Sequence, residues 1–396
     1  MFDNLYITSK NYVYNKKTGR MFRVTSDVKK VLEQYSGEKE LQEKDAVTYE
    51  KILQILKVLN EQRRGDAIES NDESYPKNLS RLQLVVSNEC DLACRYCYAH
   101  SGTYKRTIGK MEYQVAVAAI DNIFSLYHNI EAITFFGGEP LLQIDLIEEI
   151  CEYLHTKYQG RYSAVGMMSN LYKLSGKAID IIKKYNISVA TSIDGDEFHN
   201  GHRITKNGDN SFGQVATNIR RLFKETGQPS AIEVTMSNLH NDVAWSVNDV
   251  TDYLSKEFTV MNFTVNSMIP FDKNMESMEY MSMDISPDDE VETFINKGVC
   301  SMRINDLVSI ITGEMCRDML CNAGSGQLSI FPNGDIFPCH IYSLDEEQRF
   351  CLGNVVKFDK EHFNKKKNEV AVFNSKNLIA SVRNVLHTTC AIVVWE

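Results

Sequence analysis

The segment CDLACRYCYAH, residues 90–100, places three cysteines close together in a chain of 396 residues that holds ten cysteines in all. Cys90, Cys94 and Cys97 follow a C-x3-C-x2-C spacing, which is one thiolate short of a closed tetrahedral metal site. The apolar run LQLVV, residues 82–86, comes shortly before them and predicts a strand. The pattern therefore predicts a metal-binding loop just beyond the end of a strand.

Three interpretations fit the cysteine spacing by itself. His100 could act as the fourth ligand of a structural zinc site. The thiols could also be buried packing residues, which need no fixed spacing. The third interpretation is an iron–sulfur cluster held by three cysteines, which leaves one iron free to bind another ligand. The spacing alone leaves all three open.

The middle of the chain alternates apolar strands with amphipathic helices. Strands are predicted at residues 82–86, 132–136, 162–168, 187–193, 231–236 and 258–265, and helices at residues 114–127, 146–154 and 176–185. This alternation is typical of parallel β/α units, in which chemistry occurs on loops at the carboxyl ends of the strands. The cysteine loop lies in such a position.

Composition and charge exclude several classes of protein. The chain has a formal net charge of -10 and no long basic stripe, so nucleic acid is not expected as its main partner. No apolar run approaches the roughly 20 residues of a membrane-spanning helix, and the N-terminus lacks a secretory signal pattern. We therefore expect a cytoplasmic protein without membrane contact, whose cysteines are metal ligands or packing residues rather than disulfides.

The cysteine loop resembles the signature of the radical S-adenosylmethionine (SAM) superfamily, which is C-x3-C-x-aromatic-C after the first strand of a barrel. Tyr96 supplies the aromatic residue. The resemblance implies an α/β fold with a partial (β/α)6 TIM-like barrel. It also implies that Cys90, Cys94 and Cys97 hold a [4Fe–4S] cluster with an open iron that binds SAM, which one electron cleaves to a 5′-deoxyadenosyl radical.

The segment FFGGEP, residues 135–140, resembles the family's GGE motif, which contacts the amino group of SAM. Gly137 and Gly138 would allow close approach of the backbone, and Glu139 would balance an ammonium group. The segment MMSNL, residues 167–171, stands where relatives carry Thr-Asn-Gly. Asn170 is thus expected to face the ribose of SAM, with Leu171 in place of the family's glycine.

The segment SIDGDEFHNGHR, residues 192–203, resembles a Ser-x-Asp-Gly stretch found in peptide-modifying members of the family. The resemblance makes Ser192 and Asp194 candidate contacts to SAM. The alternative is a polar turn at the end of a strand, which needs no ligand.

The segment CNAGSGQLSIFPNGDIFPC, residues 321–339, resembles the opening of the SPASM and Twitch domains, which carry auxiliary [4Fe–4S] clusters. Its Asn-Gly pair predicts a hairpin that aims Cys339 back at Cys321, and Cys316 is the expected third ligand. The segment FCLGNV, residues 350–355, resembles the strand that follows in those domains.

The SPASM pattern continues in relatives with five further cysteines, of which only Cys390 is present here, so the domain is expected to be incomplete. Cys351, Cys390, a substrate thiol or an open position are the alternatives for the fourth ligand. Cys151 lies on the apolar face of a predicted helix and is expected to be a packing residue, as is Cys300.

The N-terminal region is predicted to contain strands at residues 12–14 and 21–24 around a turn, followed by helices at residues 26–35 and near residues 52–59. It resembles the small winged-helix-like domain with which some maturases grip the leader of a precursor peptide as an added strand. A simple capping domain is the alternative. In chain order, the sequence predicts a leader-recognition domain at residues 1–64, a linker at 65–78, a radical SAM core at 79–297 and a SPASM/Twitch-like auxiliary cluster domain at 298–396.

Together these resemblances imply a maturase that crosslinks a ribosomally made precursor peptide, most plausibly through a thioether of one of its cysteines. The expected partners are a Cys-containing precursor peptide with its leader and a reductant such as flavodoxin or ferredoxin. The enzymatic alternative is an anaerobic sulfatase maturase, which makes formylglycine. Such relatives carry an Asp base directly after the SPASM cysteine, where this chain has His340 as candidate catalytic group. A non-catalytic iron–sulfur sensor or peptide-binding protein is the alternative of another class.

Overall fold

The structure is a computed structural model. It describes residues 5–7, 12–15, 20–23, 78–299, 304 and 323–373, with gaps at 261, 269, 271–277, 284, 286, 298 and 346. The helices predicted at residues 26–35 and near residues 52–59 lie outside the described residues. The same is true of four cysteines, namely Cys300, Cys316, Cys321 and Cys390.

The described strands near the N-terminus form a small antiparallel sheet. It contains β1 (Leu5–Ile7), β2 (Tyr12–Asn15) and β3 (Arg20–Arg23) in the order β1-β2-β3. β2 and β3 form the predicted hairpin, with Tyr12 opposite Arg23. The sequence analysis did not identify β1, because three residues are too few for alternation to be recognised. This sheet belongs to a compact unit separate from the one that holds the larger sheet.

The larger sheet contains nine of the described strands in the order β12-β11-β10-β4-β5-β6-β7-β8-β9. Six neighbouring strands, β4 to β9, are parallel and follow one another in chain order. They are β4 (Asn78–Ser87), β5 (Asn129–Gly137), β6 (Tyr162–Ser169), β7 (Ser188–Ser192), β8 (Ala231–Met236) and β9 (Phe263–Ser267). This arrangement confirms the predicted parallel β/α fold with a partial six-stranded barrel.

Helices connect the parallel strands. They are α1 (Tyr113–Leu126), α2 (Ile144–Lys157), α3 (Gly176–Lys184), α4 (Phe212–Thr226), α5 (Asn238–Asp242) and α6 (Val247–Phe258), followed by α7 (Pro287–Lys297) and α8 (Lys360–Phe373). The predicted strand at 258–265 begins only at Phe263, because α6 extends to Phe258 and ends at Thr259, whose φ is 57°. Cys151 of α2 packs in the core, as predicted.

Strands of the barrel after β4 bury alternate side chains, whereas β4 is buried at six consecutive positions, residues 82–87. In β8, Ile232, Val234 and Met236 are fully buried, whereas the residues between them are half-buried. This period of two is expected for a wall that packs against helices on one face and borders a partly open interior on the other. Within the part of the chain that was described, no helix is long and apolar enough to cross a membrane.

The C-terminal hairpin extends the same sheet. β10 (Gln327–Ile330) pairs in parallel with β4, β11 (Asp335–Phe337) returns antiparallel to β10, and β12 (Gly353–Asn354) pairs with β11. The predicted hairpin is present, and the φ of 87° at Gly334 explains why glycine stands in its turn. The region assigned to the auxiliary domain therefore shares a sheet with the barrel.

Candidate active site

Four segments with predicted site residues follow four neighbouring parallel strands. The cysteine loop follows β4, Glu139 follows β5, Asn170 follows β6, and Asp194 follows β7. Because carboxyl ends of parallel strands meet at one edge of the sheet, the fold brings these segments to the same end of the barrel. Hydrogen bonds between the segments, described below, confirm that they meet.

The cysteine loop is braced by a second segment of backbone. Ala93 N donates to the carbonyl of Ile204 at 2.7 Å, and Arg95 N donates to the carbonyl of His202 at 2.9 Å. Within the loop, the N–H of Cys97 donates to the carbonyl of Cys94 at 3.1 Å. These bonds hold the loop in one conformation and leave its three cysteines half-buried as free thiols.

The surroundings of the thiols disfavour thiolates unless positive charge is supplied. Burial raises the pKa of Cys90, and the carboxylates of Glu139 and Asp91 raise it further. Burial also raises the pKa of Cys94 to about 11, although the guanidinium of Arg203 acts in the opposite direction. A metal ion deprotonates a coordinating thiol outright. The site is therefore suited to a group that brings positive charge to the thiols.

Among the residues that the structure describes, no group of three His, Cys, Asp or Glu side chains is arranged to hold a single metal ion. The assignment of Cys90, Cys94 and Cys97 to a zinc site with His100 or to an iron–sulfur cluster stays a prediction at this point.

Glu139 is a buried carboxylate that accepts three hydrogen bonds. Oε1 accepts from Leu141 N at 3.0 Å and from the hydroxyl of Ser169 at 2.7 Å, and Oε2 accepts from Asn170 N at 2.8 Å. Burial raises the pKa of Glu139 to about 7, and Asp91 raises it too, while the three hydrogen bonds lower it. A cationic group placed beside Glu139 would favour its ionised form.

The two glycines before Glu139 lie against the backbone of the cysteine loop. Gly138 N donates to Ser87 O at 2.8 Å, and Glu139 N donates to Glu89 O at 2.9 Å. A Cβ atom on Gly138 would overlap the carbonyl of Glu89, and one on Gly137 would overlap the carbonyl of Ser87. The predicted close approach of the backbone is present, but its partner in this structure is the protein itself.

Asn170 contacts one carboxylate and one thiol of the site. Its Nδ2 donates to Asp91 Oδ1 at 2.9 Å and lies 3.5 Å from Cys90 Sγ. The other oxygen of Asp91, Oδ2, is buried and has no hydrogen-bond partner in the described residues. A buried carboxylate oxygen without a donor is costly, so a donor or cation is missing beside it. The sequence analysis did not select Asp91, although it directly follows the first cysteine.

Asp194 stands at the centre of a network of side chains. Its Oδ1 accepts from Thr235 N at 3.0 Å, and its Oδ2 accepts from the hydroxyl of Tyr96. Tyr96 in turn accepts from Arg203 Nη1 at 3.0 Å. Burial raises the pKa of Tyr96, so its hydroxyl keeps the hydrogen that it donates. Both carboxylate oxygens are thus occupied by protein donors, and a direct contact of Asp194 with SAM stays a prediction.

Ser192 is the last residue of β7 and lies opposite Glu233 of β8. It is half-buried, on the same face of its strand as the partly open interior. Its contact with SAM stays a prediction.

The C-terminal part of the site contains two described cysteines and His340. Cys339 is buried and accepts from Ile341 N at 3.3 Å, and Cys351 lies 3.4 Å from the carbonyl of Gly353. Because Cys316, Cys321 and Cys390 lie outside the described residues, the convergence of the proposed auxiliary ligands stays a prediction.

His340 lies among aromatic rings at the start of the segment after β11. Its Nδ1 is 2.9 Å from Gln83 Oε1, and its ring centroid is 4.7 Å from that of Phe136 and 5.8 Å from that of Tyr98. Burial lowers the pKa of His340 to about 4, and the charge of Arg81 lowers it further. The imidazole is therefore neutral at pH 7 and a weak acceptor for the proton of a thiol.

Comparison with known proteins identifies relatives for most of the chain. A family model described as the radical SAM superfamily matches residues 84–252. An uncharacterized protein of Methanocaldococcus jannaschii is 30% identical over 70% of this chain and 89% of that protein. A cysteine-type anaerobic sulfatase-maturating enzyme of Clostridium novyi is 27% identical over 68% of this chain and 75% of that enzyme. The subtilosin biosynthesis protein AlbA of Bacillus subtilis is 22% identical over 89% of this chain and 77% of that protein.

Solved structures show the same architecture. The structure of anSMEcpe with bound AdoMet is similar with a TM-score of 0.60 at 22% identity, over 75% of this chain and 83% of that chain. The structure of Streptococcus suis SuiB bound to its precursor peptide SuiA is similar with a TM-score of 0.51 at 12% identity, over 92% of this chain and 88% of that chain. At these identities the structural likeness shows the fold alone.

Proposed function

We propose that the chain, which belongs to the radical SAM superfamily of enzymes that use SAM and a [4Fe–4S] cluster, is a peptide maturase. Its substrate is a ribosomally made precursor peptide, and the bond that it forms is a thioether between a cysteine sulfur and a carbon of that peptide. The observation that carries the proposal is the cysteine trio at the end of β4, beside the buried carboxylates of Glu139 and Asp91, of which Asp91 Oδ2 has no hydrogen-bond donor among the described residues.

The cysteine loop provides the ligands. Cys90, Cys94 and Cys97 would hold the [4Fe–4S] cluster, and Asn170 Nδ2 donates toward the sulfur of Cys90. When bound, the cluster and SAM would supply a 5′-deoxyadenosyl radical able to take a hydrogen atom from the peptide, and an auxiliary cluster held by Cys316, Cys321 and Cys339 would take up the surplus electron.

Two carboxylates orient the cationic end of SAM. Glu139 is buried beside Cys90 and is fully ionised only when a cation offsets its desolvation. Asp91 Oδ2 has no donor among the described residues. An ammonium group has three hydrogens and can serve both carboxylates at once. The residues present therefore fit SAM, and they exclude anions from the same position.

A separate element provides recognition of the peptide. Among the described strands, the small sheet has β1 at one edge and β3 at the other, and an edge strand is the element to which a further strand can pair. A leader peptide added to such an edge gains affinity from main-chain hydrogen bonds. This support is independent of the cluster site, because the sheet belongs to another compact unit.

The alternative enzymatic function is formylglycine formation, which the relative from Clostridium novyi supports. That chemistry oxidises a cysteine and removes its sulfur, for which a base near the auxiliary cluster is needed. His340, which occupies the position of that base, has a pKa of about 4 and is engaged with Gln83. A weak base at this position favours the thioether proposal, in which an auxiliary cluster would supply the positive charge that lowers the pKa of the substrate thiol.

Mass spectrometry of a small Cys-rich peptide, encoded beside the protein and coexpressed with it, tests the proposal. A thioether removes two hydrogens, keeps the sulfur and blocks alkylation of that cysteine. Formylglycine loses the sulfur and gains an aldehyde. The control replaces Cys90, Cys94 and Cys97 with Ala together, which should leave the peptide unmodified. A peptide that stays unmodified with the intact, reconstituted protein and its reductant would overturn the proposal.

A further inference from the structure

His240 is a buried histidine outside the strand-end segments described above. It lies in α5, just beyond β8, and its exposed fraction is 0%. Its two ring nitrogens make different bonds. Nδ1 accepts from the backbone N–H of Ser237 at 3.1 Å, and Nε2 lies 2.7 Å from the carbonyl oxygen of Asp194.

These two bonds fix the tautomer of the ring. A backbone N–H can only donate, so Nδ1 of His240 carries a lone pair, and a carbonyl oxygen can only accept, so Nε2 carries the hydrogen. The ring is therefore neutral, and burial lowers the pKa of His240, which keeps it neutral. A neutral ring with both nitrogens occupied is a rigid link between Ser237 and Asp194.

The backbone N–H, the backbone carbonyl and both carboxylate oxygens of Asp194 have hydrogen-bond partners, and the residue is only 1% exposed. The partners of these groups are Asn200 Oδ1, Thr235 N, the Tyr96 hydroxyl and His240 Nε2. The peptide after Asp194 leads into Gly195, whose φ is 141° and where an added Cβ atom would lie 2.9 Å from Cβ of His199. The turn thus depends on a backbone conformation that favours glycine.

The bond from His240 differs from the others in that it acts on the carbonyl of Asp194. That carbonyl belongs to the peptide joined to Gly195, which is the part of the turn with the most freedom to rotate. If the carbonyl rotates, the carboxylate shifts relative to the hydroxyl of Tyr96. Arg203 follows, because it donates to that same hydroxyl at 3.0 Å.

We propose that His240 is a positioning residue for the SAM site: its Nε2–H fixes the carbonyl of Asp194 and thereby holds the carboxylate of Asp194 against Tyr96 of the cysteine loop, to which Arg203 also bonds. The proposal rests on the assignment of the SAM site to the carboxyl ends of β4 to β7. It gives His240 a role in SAM affinity, in addition to the bond that it makes at the start of α5.

Two substitutions separate the two bonds of the ring. His240→Asn keeps an oxygen near the position of Nδ1 and can still accept from Ser237, but it loses the donor to Asp194. His240→Gln places an amide N–H near the position of Nε2 and keeps the donor, but it loses the acceptor for Ser237. The exposed His155 of α2, replaced by Asn, is the matched control.

The measurements are the dissociation constant of SAM for the reconstituted full chain, by equilibrium dialysis, and the midpoint of thermal unfolding of the iron-free chain. We expect His240→Asn to raise the dissociation constant about tenfold, which corresponds to loss of one buried hydrogen bond, and His240→Gln to change it less than about threefold. The ¹⁵N shifts of His240 in the iron-free protein should report the tautomer with hydrogen on Nε2.

Three results would overturn the proposal. They are an unchanged dissociation constant in His240→Asn, equal increases in both variants, and a tautomer with hydrogen on Nδ1. Asp194→Asn distinguishes these results from a failure of the site itself. If that variant binds SAM as tightly as the unmodified protein, the SAM site does not include Asp194, and the proposal falls together with that assignment.

Discussion

The turns that follow β5 and β7 each hold a buried carboxylate, but by different means. Glu139 accepts from the backbone N–H groups of Leu141 and Asn170 and from one hydroxyl. Asp194 accepts from one backbone N–H, that of Thr235, and from the hydroxyl of Tyr96, to which Arg203 also donates. The main-chain carbonyl of Asp194 bonds to the side chain of His240.

The difference predicts how each turn responds to substitution. Backbone donors are present whatever the side chains are, so the turn around Glu139 is sensitive mainly to changes that move the backbone. The turn around Asp194 is sensitive to the loss of any one side chain, because each group in it satisfies the next. The experiments below test this contrast in order of expected effect.

The largest effect is expected from Gly138→Ala. The added Cβ atom would overlap the backbone of Glu89, which has no flexible side-chain end that could move away. The turn and the cysteine loop must separate, so we expect a loss of about 3 kcal/mol or more in stability. Iron content and visible absorbance after reconstitution should fall accordingly.

Gly213→Ala is the matched control for that substitution. Gly213 lies in the first turn of α4, and an added Cβ atom would contact nothing within 4 Å. Alanine favours a helix, so stability should stay the same or rise by up to about 1 kcal/mol. Full cluster loading in Gly138→Ala would contradict the role given to the backbone in this turn.

The second substitution, Arg203→Met, tests the turn around Asp194. Arg203 is buried, and its removal leaves the carboxylate of Asp194 without a nearby cation. Removing one partner of a buried charge pair costs about 3 kcal/mol of stability. Unfolding in urea should show this loss, and SAM affinity should fall with it.

The double variant Arg203→Met with Asp194→Asn sharpens the test, because it removes the charge that was left unpaired. It should lose less stability than the sum of the two single variants, by about 1 kcal/mol or more. The double variant Arg203→Met with Glu139→Gln should be additive. If the stability losses are additive in both double variants, Asp194 and Arg203 are not energetically coupled.

The third experiment concerns pH and Glu139. The pKa of Glu139 is about 7 in the folded protein, above its ordinary value of about 4.5, because the site is buried and lies near Asp91. The folded state therefore retains this proton to higher pH than the unfolded state. The stability that it contributes is present below about pH 4.5 and is lost as the pH rises through about 7.

Unfolding free energies of the iron-free protein between pH 5 and 8 measure this effect. The unmodified protein should lose up to about 3 kcal/mol over that range relative to Glu139→Gln, whose amide does not titrate. Saturating SAM should reduce the difference, since its ammonium group stabilises the ionised carboxylate. Parallel pH profiles of the two proteins would show that Glu139 does not have a raised pKa.

The smallest effect is expected from removing one hydroxyl in each turn. Ser169→Ala takes one donor from Glu139 and leaves two backbone donors, so a loss of about 0.5–1 kcal/mol is expected. Tyr96→Phe removes the group that joins Asp194 to Arg203 and should cost about 1–2 kcal/mol. Chemical denaturation gives both values, and a larger loss in Ser169→Ala would reverse the proposed contrast.

The same contrast explains how much of the site could be predicted from the sequence. The two glycines and Glu139 are adjacent in the segment FFGGEP, so the sequence identifies the carboxylate, although two of its three donors come from Ser169 and Asn170 at the end of β6. The cysteine loop is local for the same reason. The partners of Asp194 are distant: Arg203 bonds to a tyrosine 107 positions before it, and His240 stands in a polar segment with no recognisable pattern. Only the fold brings them together.

The fold itself could be predicted from alternation of strands and helices, but five of the eight described helices, α4 to α8, were not identified. The buried faces of α4 and α6 include polar residues, Asn218 and Thr251, which weaken their apolar pattern. Leu171 stands where the family has glycine. The φ of Leu171 is 54°, in the left-handed region that favours glycine, which explains the family's choice. The side chain of Leu171 is fully buried, and its packing offsets the cost of that backbone conformation.

The pairing of β10 with β4 has a consequence for biosynthesis. The partner of Arg81 in that pairing is Gln327, so the first strand of the barrel obtains its second neighbour only after most of the chain has been made. At roughly 5–20 residues per second, a ribosome leaves that strand edge unpaired for tens of seconds. Contacts of such long sequence separation also form slowly. The nascent chain thus carries an unpaired strand edge until the hairpin emerges and closes it.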